Sequence, residues 1–339
     1  MEALKAEDVK FVFGITSGFG IKEDDPDIHP IQVRYEGSAP FMAMAYSRLT
    51  GKAGVCFGGS GGTGLTNMVS GVLEAYSVCS PIIVLVTRWG GAMPSQEHEG
   101  MGAFAECDNV GLMRPITKWS ARVTRPERTP WFMHRAFSIA LNGRPGPVCL
   151  EVPGDVMDAN VEMPGYKPIT LLRTRGDPDR IREAVSLLVK AERPIVVAGG
   201  GTILSRAFES FRDFVEMFGI PFLTTPQGRS IMPEDHPLAL GLCGIYTNEV
   251  AAKIYDEADL IVTIGSRMEA FQSVKFQFFP KEAKFIQVDI EPQSIGLNWV
   301  PDVAIAGDAD LVLRDLISGI HEKIRKKRNL NEMPRVKEI

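Results

Sequence analysis

Short apolar runs alternate with longer segments of mixed polarity along most of the chain. Val9 to Ile15 (VKFVFGI), Ala53 to Gly59 (AGVCFGG), Pro81 to Thr87 (PIIVLVT) and Gly146 to Pro153 (GPVCLEVP) are rich in β-branched residues and bounded by Gly or Pro. Continuous apolar runs of this length fit strands buried on both faces of a parallel sheet. Ala39 to Arg48, Gly64 to Ser77 and Pro130 to Leu141 between them read as helices. The alternation predicts a doubly wound α/β domain over residues 1–157. Residues 158–179 are polar, carry Pro164, Gly165, Pro168 and Pro178, and lack a helical period, so they read as a linker. The pattern then restarts over residues 180–320. Strands are expected at Arg193 to Gly201, Ile220 to Pro226, Ala258 to Arg267 and Lys284 to Pro292, with helices at Pro178 to Ala191 and Ser205 to Phe218. A second parallel-sheet domain of nucleotide-binding type is therefore expected, with Gly and polar residues gathered at strand C-termini, where such sheets bind ligands. Residues 321–339 form a basic tail.

Two domains agree with 339 residues at roughly 150 per domain. A net charge of -5 argues against a nucleic-acid partner. No apolar run approaches the ~18 residues of a membrane span. The five cysteines show no CxxC pair and the five histidines no metal-like pairing, so no metal site is expected in this chain. Free thiols and the absence of a signal-peptide pattern lead to the expectation of a cytoplasmic protein.

Three local features carry candidate chemistry. Glu36 stands where the strand around Ile31 ends and a largely apolar helix begins; its plainest role is a carboxylate at a helix N-terminus. The run Gly58 to Asn67 (GGSGGTGLTN) joins a strand to a helix, and its glycines can bring backbone N–H groups close to an anion or a ring. It is no Walker loop. Ser60 fits the pattern of a nucleophile elbow, but His98 and His134 are the only later histidines of that domain, and neither stands clearly after its last strand. In the second domain Gly199, Gly200 and Gly201 follow a strand without the full GxGxxG spacing. Asp289 ends another strand, placed either to bind a ribose hydroxyl or to cap the turn at Glu291.

Taken in order, these segments resemble the thiamine diphosphate-dependent enzymes of the acetolactate synthase type, over residues ~5 to ~318. The resemblance rests on VRYEGSAPFMAMAYSRLTGK, GGSGGTGLTNMVSGVLEAYSVCSPIIVLVT, GRPGPVCLEVPGDV, PFLTTPQGRSIMPEDHPLALGLCG, and ADLIVTIGSRM with FIQVDIEPQSIG. It implies a pyrimidine-binding domain followed by a Rossmann-like central domain. It also implies that Glu36 shares a proton with the aminopyrimidine of thiamine diphosphate, so that the cofactor serves as the electron sink for C–C bond chemistry. By the same resemblance Gly14, Tyr35, Ser60, Gly61 and Asn67 adjoin the cofactor, and Ser17, Gly18 and Ala105 line the substrate pocket. Gly199, Gly200, Gly201, Arg267 and Asp289 would serve a nucleotide in the central domain, where relatives hold FAD, an ADP or coenzyme A moiety, or nothing. GSRMEAF lacks the acidic and Arg residues that accompany flavin, which favours ADP/coenzyme A or an empty site.

The family's Gly-Asp-Gly run, which binds the diphosphate and magnesium, does not occur in these residues. The resemblance therefore implies a split enzyme. One subunit supplies Glu36, pyrimidine domains pair with each other, and a second subunit supplies the diphosphate and Mg²⁺ domain. The expected function is that of a lyase, carboligase or decarboxylase acting on a 2-oxo acid or a 2-hydroxyacyl-CoA. The alternative is a non-catalytic regulatory or nucleotide-sensing chain that keeps the fold. Tyr35 in place of a common His, a glycine turn one residue longer, and Ala105 in place of a Gln depart from the family pattern and point away from the standard pyruvate pair.

Overall fold

The structure is a computed structural model that describes residues 1–15, 20–21, 25–88, 100–102, 105–162, 165–275 and 282–323. The chain divides into two compact units, Met1–Leu172 and Arg173–Ile339. Ser17, Gly18 and the tail beyond residue 323 lie outside the described residues.

In the first unit the strands are β1 (Phe11–Gly14), β2 (His29–Gln32), β3 (Gly54–Ser60), β4 (Ile82–Arg88), β5 (Trp119–Arg122) and β6 (Val148–Pro153). They form one parallel sheet in the order β2-β1-β3-β4-β6-β5. Its helices are α1 (Glu2–Ala6), α2 (Ser38–Thr50), α3 (Thr63–Ser77), α4 (Asn109–Met113), α5 (Thr129–Leu141) and α6 (Gly154–Met157). The uninterrupted apolar runs are explained by burial on both faces of the sheet. Val55, Phe57, Ile83 and Leu85 pack with Met133, Ala136 and Phe137 of α5. Their neighbours Cys56, Ile82, Val84 and Val86 pack on the opposite face with Ala39 and Ala43 of α2 and Leu65, Met68 and Val72 of α3. Successive side chains of a strand point to opposite faces, so one run serves two cores.

The second unit repeats the scheme with β7 (Pro194–Ala198), β8 (Phe222–Thr224), β9 (Ala239–Leu242), β10 (Leu260–Ile264), β11 (Lys284–Asp289) and β12 (Val303–Ala306). Their order is β12-β11-β10-β7-β8-β9, again all parallel. The helices are α7 (Pro178–Lys190), α8 (Gly200–Leu204), α9 (Phe208–Phe218), α10 (Glu249–Asp256) and α11 (Ala309–Lys323). Asp177 caps α7 by accepting from the N–H of Asp179 at 2.7 Å, with Pro178 in the first turn. Phe211, Phe214, Val215 and Phe218 form the buried stripe of α9, and Gly219 ends the helix in a left-handed conformation. Each of those aromatic side chains contributes roughly 1.5–3 kcal/mol by its removal from water.

The expected linker is fastened to the units at both ends. Glu7 accepts from the Tyr166 hydroxyl at 2.8 Å and from the N–H of Ile169 at 3.2 Å, and the N–H of Leu172 donates to Asn142 at 2.7 Å. From Arg173 onward the contacts belong to the second unit, where Arg173 pairs with Asp310 at 3.0 Å and also with Asp308. Among the described residues, no helix is long and apolar enough to cross a membrane.

Candidate active site

The candidate residues of the first unit gather at the C-terminal end of its sheet. Glu36 lies between β2 and α2, half-buried, with its carbonyl accepting from the N–H of Ala39 at 3.0 Å. Its Oε2 accepts from Nδ2 of Asn67 in α3 at 3.1 Å. Among the described residues nothing bonds Oε1. Tyr35 is 55% exposed, and its ring folds over Gly37, where a Cβ would lie 2.4 Å from it.

The glycine turn is held by backbone contacts. Between β3 and β4 the register runs Phe57↔Leu85 and then Ser60↔Thr87, so β3 carries one residue more than its neighbour. This is a β-bulge, and Gly59 within it has φ +66°. Gly61 donates to the Thr87 carbonyl at 2.6 Å. Gly62 has φ +79°, and a Cβ there would lie 1.9 Å from the Ala105 oxygen. A Cβ on Gly64 would lie 2.1 Å from the Gly58 oxygen and 3.8 Å from Oε1 of Glu36. The Gly14 site is closed in the same way, since a Cβ there would lie 2.0 Å from the Phe57 oxygen. Ala105 itself adopts φ +54°, a left-handed conformation that costs a non-glycine residue energy.

Behind the turn lies a buried polar network. The Oδ1 of Asn109 accepts from the N–H of Gly62 at 3.1 Å, and its Nδ2 donates to Glu151 at 3.4 Å. Glu151 is 1% exposed, 3.0 Å from Nε of Arg122 and 3.9 Å from Nη1 of Arg88. Arg88, 7% exposed at the end of β4, also donates to Glu106. Glu106 in turn accepts from the N–H groups of Gly100 at 2.8 Å and Gly102 at 3.1 Å. Two guanidinium groups thus face two carboxylates. Removing one member would strip a buried charge of one of its partners, at a cost of up to about 3–5 kcal/mol. Sequence patterns alone do not single out these residues. The signal they offer is Glu151, a lone acid in a strand otherwise buried and apolar, which requires a partner.

In the second unit Gly199 and Gly201 are accounted for by close packing of two strand ends. A Cβ on Gly199 would lie 2.1 Å from the Gly265 oxygen, and one on Gly201 2.6 Å from the Gly265 Cα. The N–H groups of Gly199 and Gly201 donate to Ile264 and Gly265 at 2.8 and 3.1 Å. Asp289 is buried and accepts from the N–H of Glu291 at 2.9 Å, the turn-capping arrangement. Arg267 pairs with Glu269. Among the described residues there is no cluster of three or more His, Cys, Asp or Glu able to hold a metal ion.

Of the expected site residues, Glu36, Asn67, Gly61 and Ala105 come together around the glycine turn. Ser60 closes β3 at its head, and Gly14 ends the neighbouring strand β1. The five central-domain residues lie in the second unit.

Comparison with known proteins adds to this geometry. Residues 1–112 match the thiamine pyrophosphate enzyme, N-terminal TPP binding domain, and residues 181–316 match the thiamine pyrophosphate enzyme, central domain. A probable acetolactate synthase large subunit of Methanocaldococcus jannaschii is 40% identical over 335 residues, covering 94% of this chain and 55% of that protein. The protein of the same description from Methanococcus aeolicus is 37% identical over 341 residues, covering 96% and 55%. The acetolactate synthase large subunit of Corynebacterium glutamicum is 34% identical over 330 residues, covering 94% and 51%. The chain spans about half the length of the curated relatives it matches.

Proposed function

For a chain that belongs to the thiamine pyrophosphate enzymes, carrying that family's N-terminal and central domains, we propose that Glu36 activates the cofactor in an enzyme that makes or breaks a C–C bond beside a carbonyl. The observation that carries this reading is the Glu36–Asn67 pair beside the glycine turn. One carboxylate oxygen is held by an amide, and the other has no partner among the described residues. Glycine at position 64 leaves the space near Oε1 without a side chain. These features fit an aminopyrimidine ring, whose ring nitrogen presents a single proton site to a carboxyl oxygen.

When bound, thiamine diphosphate supplies the electron sink for C–C chemistry. The residues of this chain bind the ring, orient the acid and move the proton. Asn67 fixes the carboxylate in one orientation through Oε2. Oε1 would be the atom that gives and takes the proton of the ring nitrogen. The glycines of the turn carry no side chains and would let a flat ring lie against the backbone. Ala105 borders the same turn and would present a small apolar side chain to the reactant. The names of the relatives favour a 2-oxo acid over a 2-hydroxyacyl thioester as the substrate.

The diphosphate and a magnesium ion are held, in this reading, by residues outside these 339, because no Gly-Asp-Gly occurs within them. They belong either to a partner subunit or to further residues of the same polypeptide. The mass and subunit composition of the protein purified from its own cells distinguish the two. The function itself is tested by Glu36→Gln in the complete enzyme. A loss of roughly 10²–10⁴-fold in turnover with an unchanged melting temperature is expected of a lost acid/base. Turnover within a few-fold of the parent would remove Glu36 from the mechanism.

A further inference from the structure

The buried network behind the turn closes into a ring. Arg88 contacts Glu106 and Glu151. Glu151 accepts from Asn109, and Asn109 accepts from the N–H of Gly62. Gly62 is backed by Ala105, the residue next to Glu106. The geometry points to Arg88 as a positioning residue. Its guanidinium holds Glu106 and Glu151 at a fixed separation, so that Ala105 and Asn109 clamp Gly62 from two sides and set the place of the glycine turn relative to Glu36.

Three observations support this role. First, the guanidinium is nearly inaccessible at 7% exposure and sits on the last residue of a strand that has a neighbour on both sides. A planar fork of donors fixes both distance and direction, which a point charge does not. Second, Glu106 gathers the N–H groups of Gly100 and Gly102 as well as Arg88, so one carboxylate organises the backbone on the far side of Ala105. Third, Ala105 is held at φ +54° with its carbonyl where a Gly62 side chain would be. A strained residue persists only where its surroundings over-determine it. Surrounding contacts of this kind decide whether a binding wall is rigid or about an ångström too loose.

The inference rests on the reading of Glu36 given above, and its test separates the two. In the complete enzyme, the pair Arg88→Met with Glu106→Gln removes cation and anion together, and Glu151 keeps Arg122 at 3.0 Å. Met133→Ala, a truncation in the core under α5, serves as a control of similar destabilisation. Thiamine diphosphate with Mg²⁺ is the titrant, followed calorimetrically. The amide of Gly62 is followed by hydrogen exchange. The double variant is expected to bind thiamine diphosphate roughly 10–100-fold more weakly, the range seen when supporting partners of a site are removed, and to lose protection at Gly62. Met133→Ala is expected to do neither. Arg88→Lys, which keeps the charge but not the fork, should recover part of the affinity. If the double variant fails to fold, Glu106→Gln alone carries the same expectation, since it removes the carboxylate that pairs with Arg88 and keeps one of the two oxygens that accept from Gly100 and Gly102. Affinity within about twofold of the parent, with Gly62 still protected, would overturn the positioning role and leave the Glu36 reading intact. An inert Glu36→Gln substitution would do the reverse.

Discussion

Asn67 donates to Oε2 of Glu36 at 3.1 Å, tying the residue ahead of α2 to the second turn of α3. The two helices also pack directly, with Gly71 against Pro40 and Phe41. The pair therefore stands on a rigid support. Asn67→Ala is expected to lower turnover of the complete enzyme by about tenfold, because it removes orientation and not the acid itself. It should change stability by only about 1 kcal/mol, the net worth of one hydrogen bond. Turnover and urea denaturation measured on the same preparation check both halves.

Glycines of the turn should differ sharply in what they tolerate. Gly62→Ala places a methyl group 1.9 Å from a backbone oxygen at φ +79°, so the backbone must move. Gly59→Ala meets nothing within 4 Å and bears only the left-handed conformation at φ +66°, about 1–2 kcal/mol. Chemical denaturation should show a loss near that value for Gly59→Ala and a clearly larger one for Gly62→Ala. Equal losses would mean that the turn is softer than its contacts indicate.

The uneven legibility of the chain has a physical basis. The inner strands were readable because burial on both faces leaves an unbroken apolar run. β5, β9 and β12 were not expected as strands, and all three lie at sheet edges. β12 shows why, since it alternates buried and exposed positions over only four residues. Glu36, Asn67 and the glycine turn were legible because local pattern and order mark them. The network behind the turn joins residues 18, 42 and 47 positions apart, and no periodicity encodes such contacts. The triple glycine at 199–201 drew attention as a ligand loop. Gly199 and Gly201 are required in any case by two backbones in contact, a demand that leaves the same mark on a sequence.

Thiol reactivity should sort the five cysteines. Cys56, Cys149 and Cys243 are buried. Burial raises the Cys56 thiol well above its ordinary value and pushes Cys149 and Cys243 up to about 12. Cys79 and Cys107 are only partly covered. A disulfide reagent at neutral pH should label those two in the folded chain and the other three only on unfolding. Mass mapping of the labelled sites checks this.

Acid should reveal the anchor of α11. Asp310 is buried, which by itself would raise its pKa, but hydrogen bonds from Ser210, Arg314 and Arg173 outweigh burial and hold the carboxyl below its ordinary 3.8. Stability from these bonds is present above that value and is lost as pH falls through the lower folded one. Asp310→Asn is therefore expected to destabilise at pH 7 and to cost progressively less below about pH 3.8. Thermal melts across that window provide the measurement. A penalty independent of pH would assign the effect to shape and not to charge.

The bulge in β3 has a consequence for how such a turn can vary over generations. Its neighbours Gly62 and Gly64, like Gly14 on the adjacent strand, admit no larger residue, because an oxygen of the main chain already occupies the place of a first carbon. Change of letter is closed to them. Change of length is not, since a strand that already carries one surplus residue has absorbed an insertion without losing its partners on either side. Diversity at this mouth should accordingly appear as additions and deletions around Gly59, the one glycine of the turn that opens onto empty space.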